Sequence, residues 1–260
     1  MTAGTARRLA SLALVLAASG CTNYFEIPIE TPIQPKLDVS AFQRVLVTGF
    51  IAGGTDEVDT NLETVRLLRS QLRTKSDLKV IEADTIPLTE VGGGPRPKTP
   101  EGQTDAAPAQ DASGARRIRD EKDLEAYDHV FANVDYWKKI GEEYQGPLIV
   151  TGTILFTPHS QAGFVQREQE VYDAYGRRIT QPVRTYMERK GFILRPKFIF
   201  IDGRTGATLY SETFREQILY NPQQNTPALS SYFELMDRLI PNFLGTLSSQ
   251  KIRGSRVLLK

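Results

Sequence analysis

A chain of 260 residues with 32 Lys+Arg, 31 Asp+Glu and a formal net charge of +1 carries no global field to draw nucleic acid. Its 40% hydrophobic content is enough for a packed core, while 15 prolines point to unpacked stretches as well. Two histidines and a single cysteine leave little material for a metal centre and no intramolecular disulfide.

The first element is a leader. The paired charges Arg7 and Arg8 precede an apolar run from Leu9 to Ala18, and the small residues Ser19 and Gly20 lead to Cys21. A basic n-region, a short h-region and a small-residue cleavage site describe a secretion signal. The run is too short to cross a bilayer, which takes about 20 residues. Ala18-Ser19-Gly20-Cys21 resembles the lipoprotein box of bacteria, with Ala18 where that family usually has leucine. The resemblance implies cleavage after Gly20, a diacylated Cys21 thiol and an acylated new amino terminus. Several chains at one residue anchor a protein stably where one chain does not. In lipoproteins of Gram-negative bacteria an aspartate after the cysteine favours inner-membrane retention. Thr22 stands there in this chain, which implies attachment to the outer membrane, facing the periplasm.

Beyond the leader (residues 1–20), residues 21–40 hold Pro28, Pro32 and Pro35 among isolated apolar residues and read as an extended tether. Residues 41–255 read as one domain. It is interrupted at 92–117, a Gly- and Pro-rich stretch without Val or Phe that is expected to be a disordered insertion. Arg44 to Ile51 is a short apolar run with β-branched content, expected to be a strand buried on both faces. Thr60-Asn61-Leu62-Glu63 fits a capping box, followed by Leu62, Val65, Leu68 and Leu72 at helical spacing with Arg66, Arg69 and Arg73 outside. Leu78 to Ile81 reads as the second strand. Glu121 to Tyr144 reads as one or two helices, broken near Asn133, with Tyr136, Trp137 and Ile140 inward. Leu148 to Phe156 is the clearest strand. Gly163 to Tyr175 and Thr185 to Asp202 alternate in the manner of antiparallel hairpins, and Asp202-Gly203-Arg204-Thr205-Gly206 forms a turn into Ala207 to Leu219. A second capping box, Ser231 to Glu234, opens a last helix with Phe233, Met236, Leu239, Ile240, Phe243, Leu244 and Leu247 inward and Pro241 as a bend. This order predicts an α/β (α+β) fold: a mixed sheet with helices packed on it and antiparallel hairpins in the second half.

The strand-helix-strand start, the strand Val150-Thr151-Gly152-Thr153-Ile154 and the stretch Ile201 to Leu209 resemble a group of exported proteins. The group comprises the curli-secretion lipoproteins, the peptidoglycan-synthase activator lipoproteins and the amino-terminal domain of the Tol translocation protein. The likeness covers roughly residues 43–250. It implies an α/β sandwich used for envelope assembly and protein contacts, and brings no catalytic residues with it.

The chain is poor in chemistry. His129 and His159 are 30 positions apart without a cysteine partner, so no metal site is expected. Gly49 to Thr55 follows a strand but lacks the lysine of a phosphate loop and reads as a glycine-rich turn. Asp56, Glu57 and Asp59 read as a solvated acidic turn beside a helix amino terminus. No catalytic residue and no cofactor is expected. One segment rises above this background. Arg177 to Arg204 holds eight basic and two acidic residues, interleaved with tyrosine and phenylalanine. Arg177, Arg178, Arg184, Arg189, Lys190, Arg195 and Lys197 are the candidate interaction surface, suited to anionic headgroups or an acidic protein. The alternative is an edge guarded against aggregation by its charges. Neither face of Phe164 to Tyr172 is continuously apolar, which argues against a membrane-spanning strand. The sequence therefore points to a lipid-anchored, non-enzymatic accessory or scaffold of the cell envelope with a protein partner there. A subunit of an oligomeric secretion ring and a cell-wall hydrolase are the alternatives.

Overall fold

The computed structural model describes residues 24–88, 118–221, 223–224 and 226–259. The expected leader, Cys21 and the expected insertion at 92–117 lie outside the described residues. The chain divides into two units, Lys36–Ser248 and the two termini up to Pro35 and from Ser249.

The larger unit is the mixed sheet that the sequence predicts. Strand β2 (Arg44–Gly54) is central in its half, and helix α1 (Thr60–Lys75) carries the chain over to the two-residue strand β3 (Lys79–Val80), which pairs parallel to β2. Three short helices follow, α2 (Glu121–Glu125), α3 (Asp128–Phe131) and α4 (Val134–Glu143). The long strands β4 (Leu148–Tyr172) and β5 (Arg178–Asp202) come next, then β6 (Thr208–Thr213), β7 (Glu216–Tyr220) and helix α5 (Ala228–Leu247). The strand order is β3-β2-β4-β5-β6, with β2 parallel to both β3 and β4 and the pairs made by β5 antiparallel. Strands β6 and β7 share the outer edge of β5: β6 lies along Lys197–Ile201 and β7 along Lys190–Leu194.

Both faces of the sheet are covered, as a run like Val45–Ile51 requires. Val45, Val47, Val150, Phe198 and Phe200 pack with Val65, Leu68 and Leu72 of α1 and Leu235, Leu239 and Phe243 of α5. The alternate residues Leu46, Ile149, Ile199 and Ile201 face Val130, Trp137 and Ile140 of the short helices. Trp137 is fully buried and its indole donates to the carbonyl of Val130 at 3.0 Å.

Strand β2 bulges at Thr48–Gly49, where its register against β4 shifts. A bulge strips backbone groups of their ladder partners, and buried groups must find others. They do. The Phe50 N–H donates to Asn61 Oδ1 (2.8 Å), and the Val47 carbonyl accepts from the Arg69 guanidinium (2.7 Å). The Thr48 carbonyl accepts from the Ile86 N–H at 3.0 Å, and Gly49's carbonyl from the Thr151 hydroxyl at 2.8 Å. Beside it Gly152 sits at φ +146°, and a Cβ there would stand 1.8 Å from the Lys197 carbonyl oxygen.

Several sequence expectations shift. The first helix is capped by Asp59, whose carboxylate accepts from the Leu62 N–H at 3.0 Å, so the capping residue precedes Thr60. Arg69 is half-buried at the bulge rather than outside. The last helix begins at Ala228, three residues before Ser231, and runs unbroken through Pro241. Pro241 lies on the exposed side of the helix. Glu121 to Tyr144 forms three helices, the last capped by Asn133.

The terminal unit corrects the tether. Strand β1 (Tyr24–Ile33) is extended, as a proline-rich tether would be, but it pairs antiparallel along its whole length with β8 (Gln250–Leu259). Pro28 and Pro32 are four residues apart and so lack their donors on the same edge, which a two-stranded ribbon tolerates on its outer side.

Candidate interaction surface

Strands β4 and β5 are each 25 residues long and pair without a register shift from Leu148–Asp202 to Tyr172–Arg178. The stretches expected as separate hairpins are therefore one. Its inner third is core, with Leu148 to Phe156 buried, whereas no residue from Thr157 to Lys190 is buried. At about 3.3 Å per residue the outer part forms an arm of roughly 50 Å. The turn at its end is closed by Asp173, whose carboxylate accepts from the Tyr175 and Arg177 N–H groups at 2.9 and 2.8 Å. These bonds and the Arg177 side chain hold the Asp173 carboxyl below its ordinary value, although its partial desolvation acts the other way.

Pairing divides the candidate basic residues between the two faces. Arg178, Arg184 and Lys190 pair with Tyr172, Gln166 and Ser160, on the face that carries Phe164 and Tyr186. Phe164 and Tyr186 form an exposed edge-to-face pair with centroids 5.4 Å apart. Arg189 lies on the opposite face with Arg167, Val165, Val183 and Met187. Neither face is continuously apolar.

The basic residues also differ in their partners. Arg177 and Arg178 pair with Asp173 (2.8 Å) and Glu170 (3.4 Å), and Lys190 stands 3.9 Å from Glu188. Arg195 and Lys197, at the base of the arm, meet Glu121 (3.3 Å) and Asp128 (3.0 Å) of α2 and α3. Among the described residues no ion pair joins Arg184 or Arg189. Exposed pairs contribute only about 0–1 kcal/mol each, so the outer ones can be exchanged for a partner's acids at little cost.

Arg195, Lys197, Glu121, Asp128, Leu124 and Thr213 are among the residues lining a cavity of about 210 Å³. That is below the usual range for small-molecule sites, roughly 300–1,000 Å³. The described residues contain no group of three His, Cys, Asp or Glu placed to hold a metal ion. The His129 Nδ1–H donates to the Ala126 carbonyl at 2.8 Å, and His159 pairs with Gly191 at the root of the arm. The glycine-rich turn has spent its donors, since the Gly54 N–H reaches the Ile118 carbonyl (2.9 Å) and the Thr55 N–H that of Phe156 (2.8 Å). Among the described residues no helix is long and apolar enough to cross a membrane.

No family model matches this chain, and no curated protein matches it. Among solved structures it is similar to the PelC dodecamer from Paraburkholderia phytofirmans, at 12% identity and a TM-score of 0.34 over 85% of this chain and 99% of that one. It is also similar to lipoprotein GNA1162 from Neisseria meningitidis, at 11% identity and a TM-score of 0.35 over 77% and 97%. At such values the functional reading rests on this chain's own residues.

Sequence reasoning located the basic, aromatic stretch but missed its form. A signal was present in the equal lengths on either side of Asp173–Arg177, but Pro158, Ser160 and Gly163 read locally as a turn and hid the continuity of the strand. It also missed β8, because Gln250 to Leu259 alternates only loosely and its partner lies more than 200 residues away.

Proposed function

We propose that this protein is a lipoprotein anchored through Cys21 to the outer membrane, facing the periplasm, where it acts as a non-enzymatic accessory or scaffold in cell-envelope assembly. The observation that carries the reading is the arm. A fold that commits two long strands to an exposed ribbon, carrying paired aromatic rings and uncommitted arginines, is organised for contact. Aromatic residues and arginine are the types enriched where protein surfaces meet. The partner is a protein with an acidic strip, met by Arg184 and Arg189 on the two faces of the arm. A second reading, copies of this chain assembled into a ring, is favoured by the two long edges of the arm beyond β7, which offer unpaired backbone donors and acceptors.

Two variants test the proposal together. Cys21→Ser should leave the outer-membrane fraction, and Arg184→Glu with Arg189→Glu should stay in that fraction but lose its crosslinked envelope partner. Reversing a charged contact weakens association strongly, whereas exposed charges contribute little to folding. Normal fractionation of Cys21→Ser defeats the anchor, and an unchanged crosslinking pattern for the arginine variant defeats the contact role.

A further inference from the structure

The ribbon of β1 and β8 is amphipathic. Residues paired directly across an antiparallel ribbon share a face. Phe25, Ile27, Ile29 and Ile33 therefore lie on one face with Leu258 and Ile252, and all six are exposed, Phe25 to 58% and Ile252 to 57%. The other face carries Glu26, Glu30, Lys251 and Arg253, with Glu30 ion-paired to Arg253 at 3.0 Å and to Lys251 at 3.5 Å. A two-stranded ribbon is at best marginally stable in water unless its apolar face is covered.

We infer that this apolar face lies on the phospholipid leaflet, so that the ribbon is a second membrane contact beside the acyl anchor. The inference rests on the lipidation of Cys21 proposed above. Tyr24 begins β1 three residues after Cys21. Three residues reach at most about 11 Å, so one end of the apolar face starts within the interfacial zone that the acyl chains enter. Charge decides between lipid and a second copy of the chain. The apolar face contains one ionisable residue, Arg256, opposite Ile27, and no acid. Two such faces packed together would bury arginines without carboxylates, which is costly. Against a leaflet the long Arg256 stem lies along the apolar surface and its guanidinium reaches a phosphate. The ribbon spans about 33 Å and lies in the plane of the interface, with the Glu30 ion pairs turned to water.

The test uses the lipidated full-length protein on vesicles of phosphatidylglycerol and dibrominated phosphatidylcholine. Trp137 is the only native tryptophan and is fully buried, so it provides a constant background. Phe25→Trp and Ile252→Trp place probes on the apolar face, one on each strand, and Ser255→Trp places a control on the charged face. Both apolar-face probes should be quenched by the brominated chains at least about threefold more than the control, and shielded from acrylamide. A protein that does not float with the vesicles overturns both the anchor and this inference. A protein that floats while its apolar-face probes stay open to acrylamide overturns this inference alone. Shielding from both quenchers that grows with protein density means that a second copy covers the face, and overturns it too.

Discussion

Replacing residues 162–188 by Asn-Gly, so that the paired residues Gln161 and Arg189 close a two-residue turn, removes the outer arm and leaves the β7 pairing, which begins at Lys190, intact. The turn chemistry suits the cut, because Asn-Gly favours the twist that a short hairpin needs. None of the removed residues is buried, and the only ring pair lost among the described residues, Phe164–Tyr186, is 75% and 61% exposed. Cross-strand pairs contribute about 0.2–1 kcal/mol each, but in an isolated ribbon they are nearly cancelled by the ordering entropy of the strands. Deletion should therefore change stability by about 1 kcal/mol or less, a shift of about 2–4 °C in Tm for a domain of this size. Thermal unfolding followed by the near-ultraviolet signal of the buried Trp137 measures the core, and crosslinked co-purification from envelopes measures contact. The expected outcome is an intact cooperative transition with the partner lost. A Tm drop beyond about 10 °C would show that the arm is part of the cooperative fold, and an intact partner yield would show that contact is made elsewhere.

Asn61→Ala leaves the Phe50 N–H at the bulge without its acceptor, which should cost about 1–3 kcal/mol in a urea titration with an unchanged m-value. A cost near zero would mean that water replaces the amide. Arg204→Gln removes the two side-chain bonds to Asp202, each 3.0 Å. Burial of Asp202 acts to raise its pKa, but the bonds and charge of Arg204 outweigh it and hold the carboxyl below its ordinary value of 3.8. A depressed carboxyl adds stability that is fully present above pH 3.8 and vanishes as pH falls through the folded pKa. The variant should therefore be less stable than wild type at neutral pH, and that gap should narrow below pH 3.8. A gap that does not vary with pH would assign the loss to the stacking of Arg204 over Phe42, 4.8 Å from the ring centroid.

Local pattern was enough to read the layers of this protein. The short apolar run of Val45–Ile51, broken only by Thr48 and Gly49, suits a strand covered on both faces, and the spacing of Val65, Leu68 and Leu72 suits a helix with one inner face. The expected leader up to Cys21 likewise rests on consecutive residues alone. Three features depended on tertiary structure. The arm could not be read because a charged, alternating strand looks the same whether its partner is a core strand or a lone ribbon; only pairing over 25 residues shows that it leaves the sheet. Which basic residues stand together was hidden for the same reason, since strand parity and the helices at the arm's base divide Arg184 from Arg189 and commit Arg195 and Lys197 to Glu121 and Asp128. The union of β1 with β8 joins residues at opposite ends of the chain. Neither strand has a complete apolar face alone, and the amphipathic surface exists only once both are paired, because its six apolar side chains come from two segments whose proximity no local interaction encodes.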